Sequence, residues 1–360
     1  MVEIVRAWYH RHLTNPQVVI LALLLLFGFL AVYFFGRVLA PLLVSLVIAY
    51  LLEGIVGYMG RLGIPRFPAV FIVFFVFLTV LVLVLLGLIP MLTRQVIQLV
   101  RELPGMISQG QQMLLELPER YPQIVSEEFV REIISAIRGQ VTPLGQRAMT
   151  TSIAYMFHLV SLLVYTIIVP LSVFFMLKDK DLILNWFLRF MPKERGLATE
   201  VWEQVNYKIG RYVRGKCAEI VIVWSITFIV LSMFGMNYAM LLSFGVGLSV
   251  IVPYIGAAVL TIPIAFVAYF QWGWGSEFLY VLIVYGLIQF LDGNLLATLL
   301  FSEVVNMHPI AVIAAIFVFG GYWGMWGVFF AIPLATLVQA VIESWPRQHP
   351  QSALPETTEE

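Results

Sequence analysis

The sequence predicts an all-α, polytopic integral membrane protein with about eight transmembrane helices, the helices of its C-terminal half being broken by Gly and Pro. Three observations predict it. Of 360 residues, 61% are hydrophobic and only 12% charged, and the mean hydropathy of +0.93 lies well outside the range of soluble domains. The apolar residues gather in runs long enough to cross a bilayer. Within those runs apolar and polar residues do not alternate, which argues against a membrane β-barrel. Formal net charge is zero, which gives no electrostatic footprint for nucleic acid. The lone cysteine, Cys217, has no Cys or His neighbour at ligand spacing; disulfide, zinc and redox chemistry lack material, and neither a metal nor a cofactor is expected.

The first helix is expected over the apolar run 17–35. Arg6 and Arg11 precede it as they would a secretory signal, but the run is long enough to span and no small-residue cleavage site follows "VYFFGRVLAP", so it should be retained. Asn15 can cap it, and Pro16 stands where a missing N–H costs least. Further helices are expected at 38–52, 67–91, 153–177, 218–236, 239–270, 278–300 and 309–342. The run 67–91 corresponds to about 37 Å of helix, enough for a tilted crossing. The runs 239–270 and 309–342 are over-long, and each can cross once or fold back as a hairpin.

Two polar interruptions divide the chain. Residues 93–152 hold six Arg and six Glu among Pro104, Pro118, Pro122 and Pro143. Apolar positions there recur every three or four residues, as in amphipathic helices separated by proline turns. Residues 178–216 hold nine Lys or Arg against five acids, which predicts a cytoplasmic loop. The expected organisation is therefore N-terminal transmembrane helices (1–92), an extracytoplasmic amphipathic region (93–152), a transmembrane helix (153–177), a basic cytoplasmic loop (178–217), C-terminal transmembrane helices carrying the transport site (218–345), and a disordered cytoplasmic tail (346–360). Counting crossings puts both termini in the cytoplasm of a multi-pass protein.

Chemistry is expected in the last third. "FGVGLSVIVPYIGAAVLTIP" (244–263) and "FGGYWGMWGVFFAIP" (319–333) are interrupted by Gly and Pro in similar places. Unwound backbone in a bilayer survives where protein buries it or a wet cavity faces it, and paired interrupted helices often surround a transported solute. This singles out Pro253, Tyr254 and Gly256 in one segment and Gly320 and Gly324 in the other; the last two also form a G-x-x-x-G packing pair. In "IQFLDGNLLATLLFSEVVNMHP" (288–309), Asp292, Glu303 and His308 stand among apolar residues without a neighbouring Lys or Arg. On a straight helix, Gln289, Asp292, Glu303 and Asn306 fall within roughly 100° of arc. Asn294 follows Asp292 closely and joins the candidate set. An ionised Asp near a helix centre costs roughly 2.5 to 3.5 kcal/mol, which marks Asp292 for protonation or cation coordination; the competing reading starts a turn at Gly293 and leaves Asp292 at the interface. His308, before Pro309, suits a helix start. "MLKDKD" (176–181) suits a helix end at the lipid headgroups. Metalloprotease, P-loop and serine-hydrolase signatures are absent, and no second transmembrane Asp offers Asp292 an acidic partner.

Taken together, "LAPLLVSLVIAYLL", "VFFMLKDKD", "VPYIGAAV" and "NMHPIAVIAAIFVFGGYWGMWGVFFAIPLATL", in that order, resemble the autoinducer-2 exporter family, and "LDGNLLATLLFSEVVNMHP" is similar to its permease-like branch. The resemblance implies a bacterial inner-membrane protein of about eight helices, exporting autoinducer-2 or exchanging cations for protons. It points to Pro253, Tyr254, Gly256, Asp292, Gly293, Asn294, His308 and Pro309. Ala257 and Thr298 depart from prolines common in the family.

The expected function is that of a secondary transporter moving a small polar metabolite or ion by alternating access, coupled to protons or Na⁺, with Asp292 as the coupling acid. A monovalent cation/proton antiporter is one alternative. A non-transporting membrane scaffold is another, its polar regions binding partners and its Gly-rich helices forming a homo-oligomer core. The lipid bilayer is the expected surrounding in every case, and nucleic acid is not an expected partner.

Overall fold

The computed structural model describes residues 16–120, 165–190, 196–252, 255–301 and 307–343, with isolated positions at 126, 128 and 135. Every regular element among them is helical. We number these α1 (Pro16–Arg61), α2 (Arg66–Leu83), α3 (Ile89–Arg120), α4 (Tyr165–Lys178), α5 (Lys180–Arg189), α6 (Gly196–Met233), α7 (Ala239–Ser249), α8 (Ile255–Trp272), α9 (Ser276–Leu291), α10 (Ala297–Phe301) and α11 (Pro309–Glu343). π-Turns join α2 to α3 at Val84–Leu88 and α9 to α10 at Asp292–Leu296. Five described stretches are long and apolar enough to cross a membrane: Val19–Gly36, Val38–Arg61, Arg66–Glu116, Thr199–Met233 and Ser276–Leu300. Their outward side chains are those lipid would solvate, such as Phe27, Leu86, Phe290 and Leu299, each well over half exposed.

Several boundaries differ from the sequence expectation. The runs 17–35 and 38–52 join into α1, because nothing around Gly36 and Arg37 stops an apolar helix. Pro41 sits inside it, and the Ser45 hydroxyl donates to the Pro41 carbonyl at 2.7 Å. Pro104 and Pro118 likewise lie inside α3 rather than in turns; a proline removes one helical hydrogen bond without necessarily ending the helix. The basic stretch 178–217, expected as a loop, is largely helical, forming α5 and the first half of α6. Of the expected helix 153–177, the part from Tyr165 is described and is helical; most of 121–152 lies outside the described residues.

The chain packs as two units. One comprises Ala40–Ile183 and Val213–Ser302. Its larger core joins Val223 and Leu231 of α6, Leu242 and Val246 of α7, Ile264 and Val267 of α8, and Val281 and Tyr285 of α9. A second core joins Ala49 and Val56 of α1, Val70 and Val73 of α2, and Val173 and Leu177 of α4. Polar ties close the end of that second core. Arg66 donates to both carboxylate oxygens of Glu53 at 3.0 and 3.3 Å and to the Leu177 carbonyl at 3.0 Å, and Lys180 reaches Glu53 at 3.0 Å.

Within this unit α7 and α8 form an antiparallel hairpin, which resolves the over-long run 239–270. A methyl group on Gly256 would strike the Ser249 carbonyl oxygen, and one on Gly245 would lie 3.1 Å from Leu260. Contacts that move backward along α7 as they move forward along α8 require opposed arms. With eleven residues α7 is about 16 Å long, too short to span about 30 Å of hydrocarbon. Helix α6 holds the hairpin: a Cβ on Gly247 would lie 2.7 Å from Trp224 Cβ and 2.9 Å from the Ile220 carbonyl, so only glycine permits this crossing.

The other unit comprises Met1–Leu39, Leu184–Tyr212 and Glu303–Glu360. Leu21, Val201, Val205 and Ala340 form one buried cluster, and Ala315, Ala331 and Ala335 another. Here α11 is folded in two at Gly324, whose φ of 60° and ψ of −137° lie outside the helical region. The arms Ile310–Gly324 and Gly327–Val341 run antiparallel, since Gly327 abuts the Phe319 carbonyl beside the break while Ala315, further back on the first arm, packs with Ala331 and Ala335, further along the second. Both hairpins return along a matching sequence: Gly256 leads to Ile262-Pro263-Ile264-Ala265, and Gly327 to Ile332-Pro333-Leu334-Ala335.

Candidate functional site

Asp292 does not stand alone. It opens the π-turn after α9 and is 9% exposed. Facing it are Lys216 and Glu219 of α6, 4% and 3% exposed. These two are three residues apart on one helix, so their side chains meet: Lys216 Nζ donates to Glu219 Oε2 at 2.6 Å. The same ammonium donates to the Val250 carbonyl at 3.0 Å, and Val250 caps the C-terminus of α7 at the hairpin tip. Carbonyls ending a helix lack helical partners and carry the negative end of its dipole, so a cation is favoured there. The Glu219 carboxyl comes within side-chain hydrogen-bonding reach of Asp292, while Asp292 Oδ1 is buried without a partner.

The packed helices enclose this cluster. Lys216 is about 25 Å along α6 from Met233, and Asp292 about 24 Å along α9 from Ser276. Helices of opposite direction thus bring the charges to one level. One lysine and two carboxylates, all ionised, carry a formal charge of −1, and uncompensated charge in a low-dielectric interior costs several kcal/mol. Around the cluster, Tyr285 hydroxyl donates to the Ala257 carbonyl at 3.1 Å and neighbours Thr261 and Gln289. Further polar atoms are buried without partners in this unit: Gln289 Nε2, Trp224 Nε1 and Thr227 Oγ1. Buried orphans of this kind mark places that water or a solute satisfies.

At the other end of the hairpin a cavity of about 350 Å³ is lined by Arg101, Glu102 and Gln109 of α3 and by Asn237 and Gln271. Gln271 ties the α6–α7 connection to α8, its Oε1 accepting from Asn237 N and its Nε2 donating to the Gly235 carbonyl, each at 2.8 Å. Tyr238 hydroxyl donates to Glu102 at 2.5 Å. Partial burial, reinforced by that carboxylate, pushes the Tyr238 phenol up to about 12.

The expected site residues fall in different places. Gln289 lies near Asp292. Asn294 is exposed and turned to its own helix, donating to the Phe290 carbonyl at 2.8 Å. Gly256 sits just past the tip of the α7–α8 hairpin, whereas Gly320 and Gly324 belong to the α11 hairpin of the other unit. His308 is exposed and starts α11, its Nδ1 accepting from Ile310 N at 3.3 Å. Pro253, Tyr254, Glu303 and Asn306 lie outside the described residues. The expectation that no cation or second acid accompanies Asp292 is corrected by Lys216 and Glu219. Ending a loop near 216 hides Lys216, while Glu219 falls at the start of the expected helix 218–236; the signal was a Lys and a Glu three apart immediately before the apolar run from Ile220.

The comparisons bear on what such an assembly is. A family model described as AI-2E family transporter matches residues 21–347. The chain is 43% identical to "Putative permease PerM" of Escherichia coli (strain K12), with 96% of this chain and 98% of the relative covered. It is 27% identical to "Putative transport protein YueF" of Bacillus subtilis (strain 168), covering 70% and 69%. A buried charged cluster beside a hairpin too short to cross a bilayer, in a match running nearly end to end, is therefore set in a member of a known lineage: the chain belongs to the AI-2E transporter family.

Proposed function

We propose that the protein is a multi-pass secondary transporter of a bacterial inner membrane, moving a small polar metabolite or an ion by alternating access, with coupling to protons or Na⁺. The observation that carries this reading is the buried Lys216–Glu219–Asp292 cluster, which holds two acids against one cation at a hairpin tip and leaves Asp292 Oδ1 unpartnered. A protein that needed only stability would do as well with apolar residues there. Orphan polar atoms on α6 and α9 support a hydrated route to the cluster. Asp292 is the coupling acid in this reading. Membership in a transporter family points away from catalysis.

The experiment is flux in proteoliposomes under an imposed proton gradient, beginning with autoinducer-2 and monovalent cations. Wild type should accumulate one of them, and Asp292→Asn should stop coupled movement while keeping its helical circular dichroism. Normal coupled flux in that variant overturns the coupling role. The formal excess of one negative charge favours a second reading, monovalent cation/proton exchange; there, an imposed Na⁺ gradient alone should drive proton movement with no metabolite present.

A further inference from the structure

We propose that Glu219 and Asp292 bind one exchangeable proton between them, and that Lys216 clamps the tip of the α7–α8 hairpin through the Val250 carbonyl while that proton is bound. The proposal deepens the transport reading, on which its purpose rests, by naming what the cluster binds and which element responds.

The geometry presents one ammonium with competing acceptors. As observed, Lys216 Nζ is shared between Glu219 at 2.6 Å and the Val250 carbonyl at 3.0 Å. With one proton on the acid pair the cluster is neutral, and a single carboxylate lets the ammonium hold the carbonyl as well. When the proton leaves to water, two carboxylates face each other beside the same ammonium. A hydrogen bond to a carboxylate is about twice as strong as one to a neutral carbonyl, so Lys216 moves to bridge Glu219 and Asp292. Val250 then keeps a helix-terminal carbonyl without its partner, a state stable only in water. Loss of the proton should therefore open the hairpin tip to solvent.

Among the described residues, the groups facing the acid pair come from three elements. Lys216 comes from α6, Tyr285 and Gln289 from α9, and Thr261 with the Val250 and Ala257 carbonyls from the hairpin. Arg214, the neighbouring cation on α6, lies instead against Gly54 of α1. Lys216 is thus the group that the acids and the tip share.

The test reads the tip, not transport. In a Cys217→Ser background, Ile251→Cys at the tip is labelled with a maleimide in lipid nanodiscs across the pH range, normalised to the exposed Leu62→Cys at each pH. Labelling of Ile251→Cys should rise about tenfold from acid to alkaline pH, as expected for a two-state tip shifted by about 1.4 kcal/mol. Adding Asp292→Asn, which imitates the proton-bound acid, should keep labelling low throughout, and adding Lys216→Met should keep it high. Lys216→Arg, which preserves the cation and its donors, should retain the pH response and so guards against misfolding of the Met variant. A pH-independent wild type, or Asn and Met variants that shift labelling in the same direction, overturns the latch. If the switch appears in a protein without measurable flux, the latch stands and the transport reading fails; flux without the switch sinks the latch alone.

Discussion

Replacing Lys216 by Met should cost more stability than replacing Lys216 and Glu219 together. The two side chains are 6% and 4% exposed and 2.6 Å apart, so solvent screening is slight. Removing one partner of a buried pair costs about 3 to 5 kcal/mol, because the remaining charge stays in low dielectric. Lys216→Met does this and also orphans the Val250 carbonyl. Lys216→Met with Glu219→Gln leaves a single acid, Asp292, which keeps the one proton of the pair and stays neutral, so that mainly the carbonyl remains, worth about 1 to 3 kcal/mol. The double variant should thus be more stable than the single by about 2 kcal/mol. Reversible unfolding of the four proteins of this cycle in mixed micelles measures the coupling directly. Effects of the two substitutions that add within about 0.5 kcal/mol would refute the reasoning, since independence is the signature of side chains that do not interact.

Other perturbations separate close packing from the charged cluster. Gly256→Ala should destabilise by about 1 to 3 kcal/mol, since its methyl meets the Ser249 carbonyl backbone, a clash of the overpacking kind; Gly293→Ala, with nothing within 4 Å, should be neutral or slightly stabilising, and thermal shift on both distinguishes them. Arg66→Ala should cost no more than about 1 kcal/mol despite its paired bonds to Glu53, because its side chain is 40% exposed and such pairs are screened; equal destabilisation to Lys216→Met in the same assay would contradict this. The phenol of Tyr238 should ionise near 12: ultraviolet titration of wild type minus Tyr238→Phe should show phenolate appearing there, and Glu102→Gln should shift it down, with an unmoved titration counting against the hydrogen bond.

The fold class was legible because composition alone forces it: runs of apolar residues with so few charges have no soluble solution. The hairpins were half legible. Gly and Pro in 244–263 and 319–333 announce a break, but whether the chain then continues or reverses depends on contacts such as Gly256 with Ser249 and Gly327 with Phe319, which join residues no local pattern pairs. Asp292 stood out because a carboxylate in an apolar run has an evident energetic cost. Its partners did not, since Lys216 and Glu219 sit where a basic stretch meets an apolar one, and helical periodicity within one segment cannot tell which segment faces it. The projected stripe from Gln289 to Asn306 assumed an unbroken helix; the π-turn at Asp292–Leu296 inserts a residue and shifts the phase beyond it by about 100°. Asn294, two residues after Asp292, lies about 200° around the helix from it, and so is exposed, its amide donating to the Phe290 carbonyl.

Infrared difference spectroscopy of the lipid-embedded protein across a pH step tests most directly whether the acid pair exchanges a proton. The account predicts a protonated-carboxyl band that appears on acidification in wild type and disappears in both Glu219→Gln and Asp292→Asn. A band retained unchanged in both variants, or none in the wild type at any pH, would contradict it.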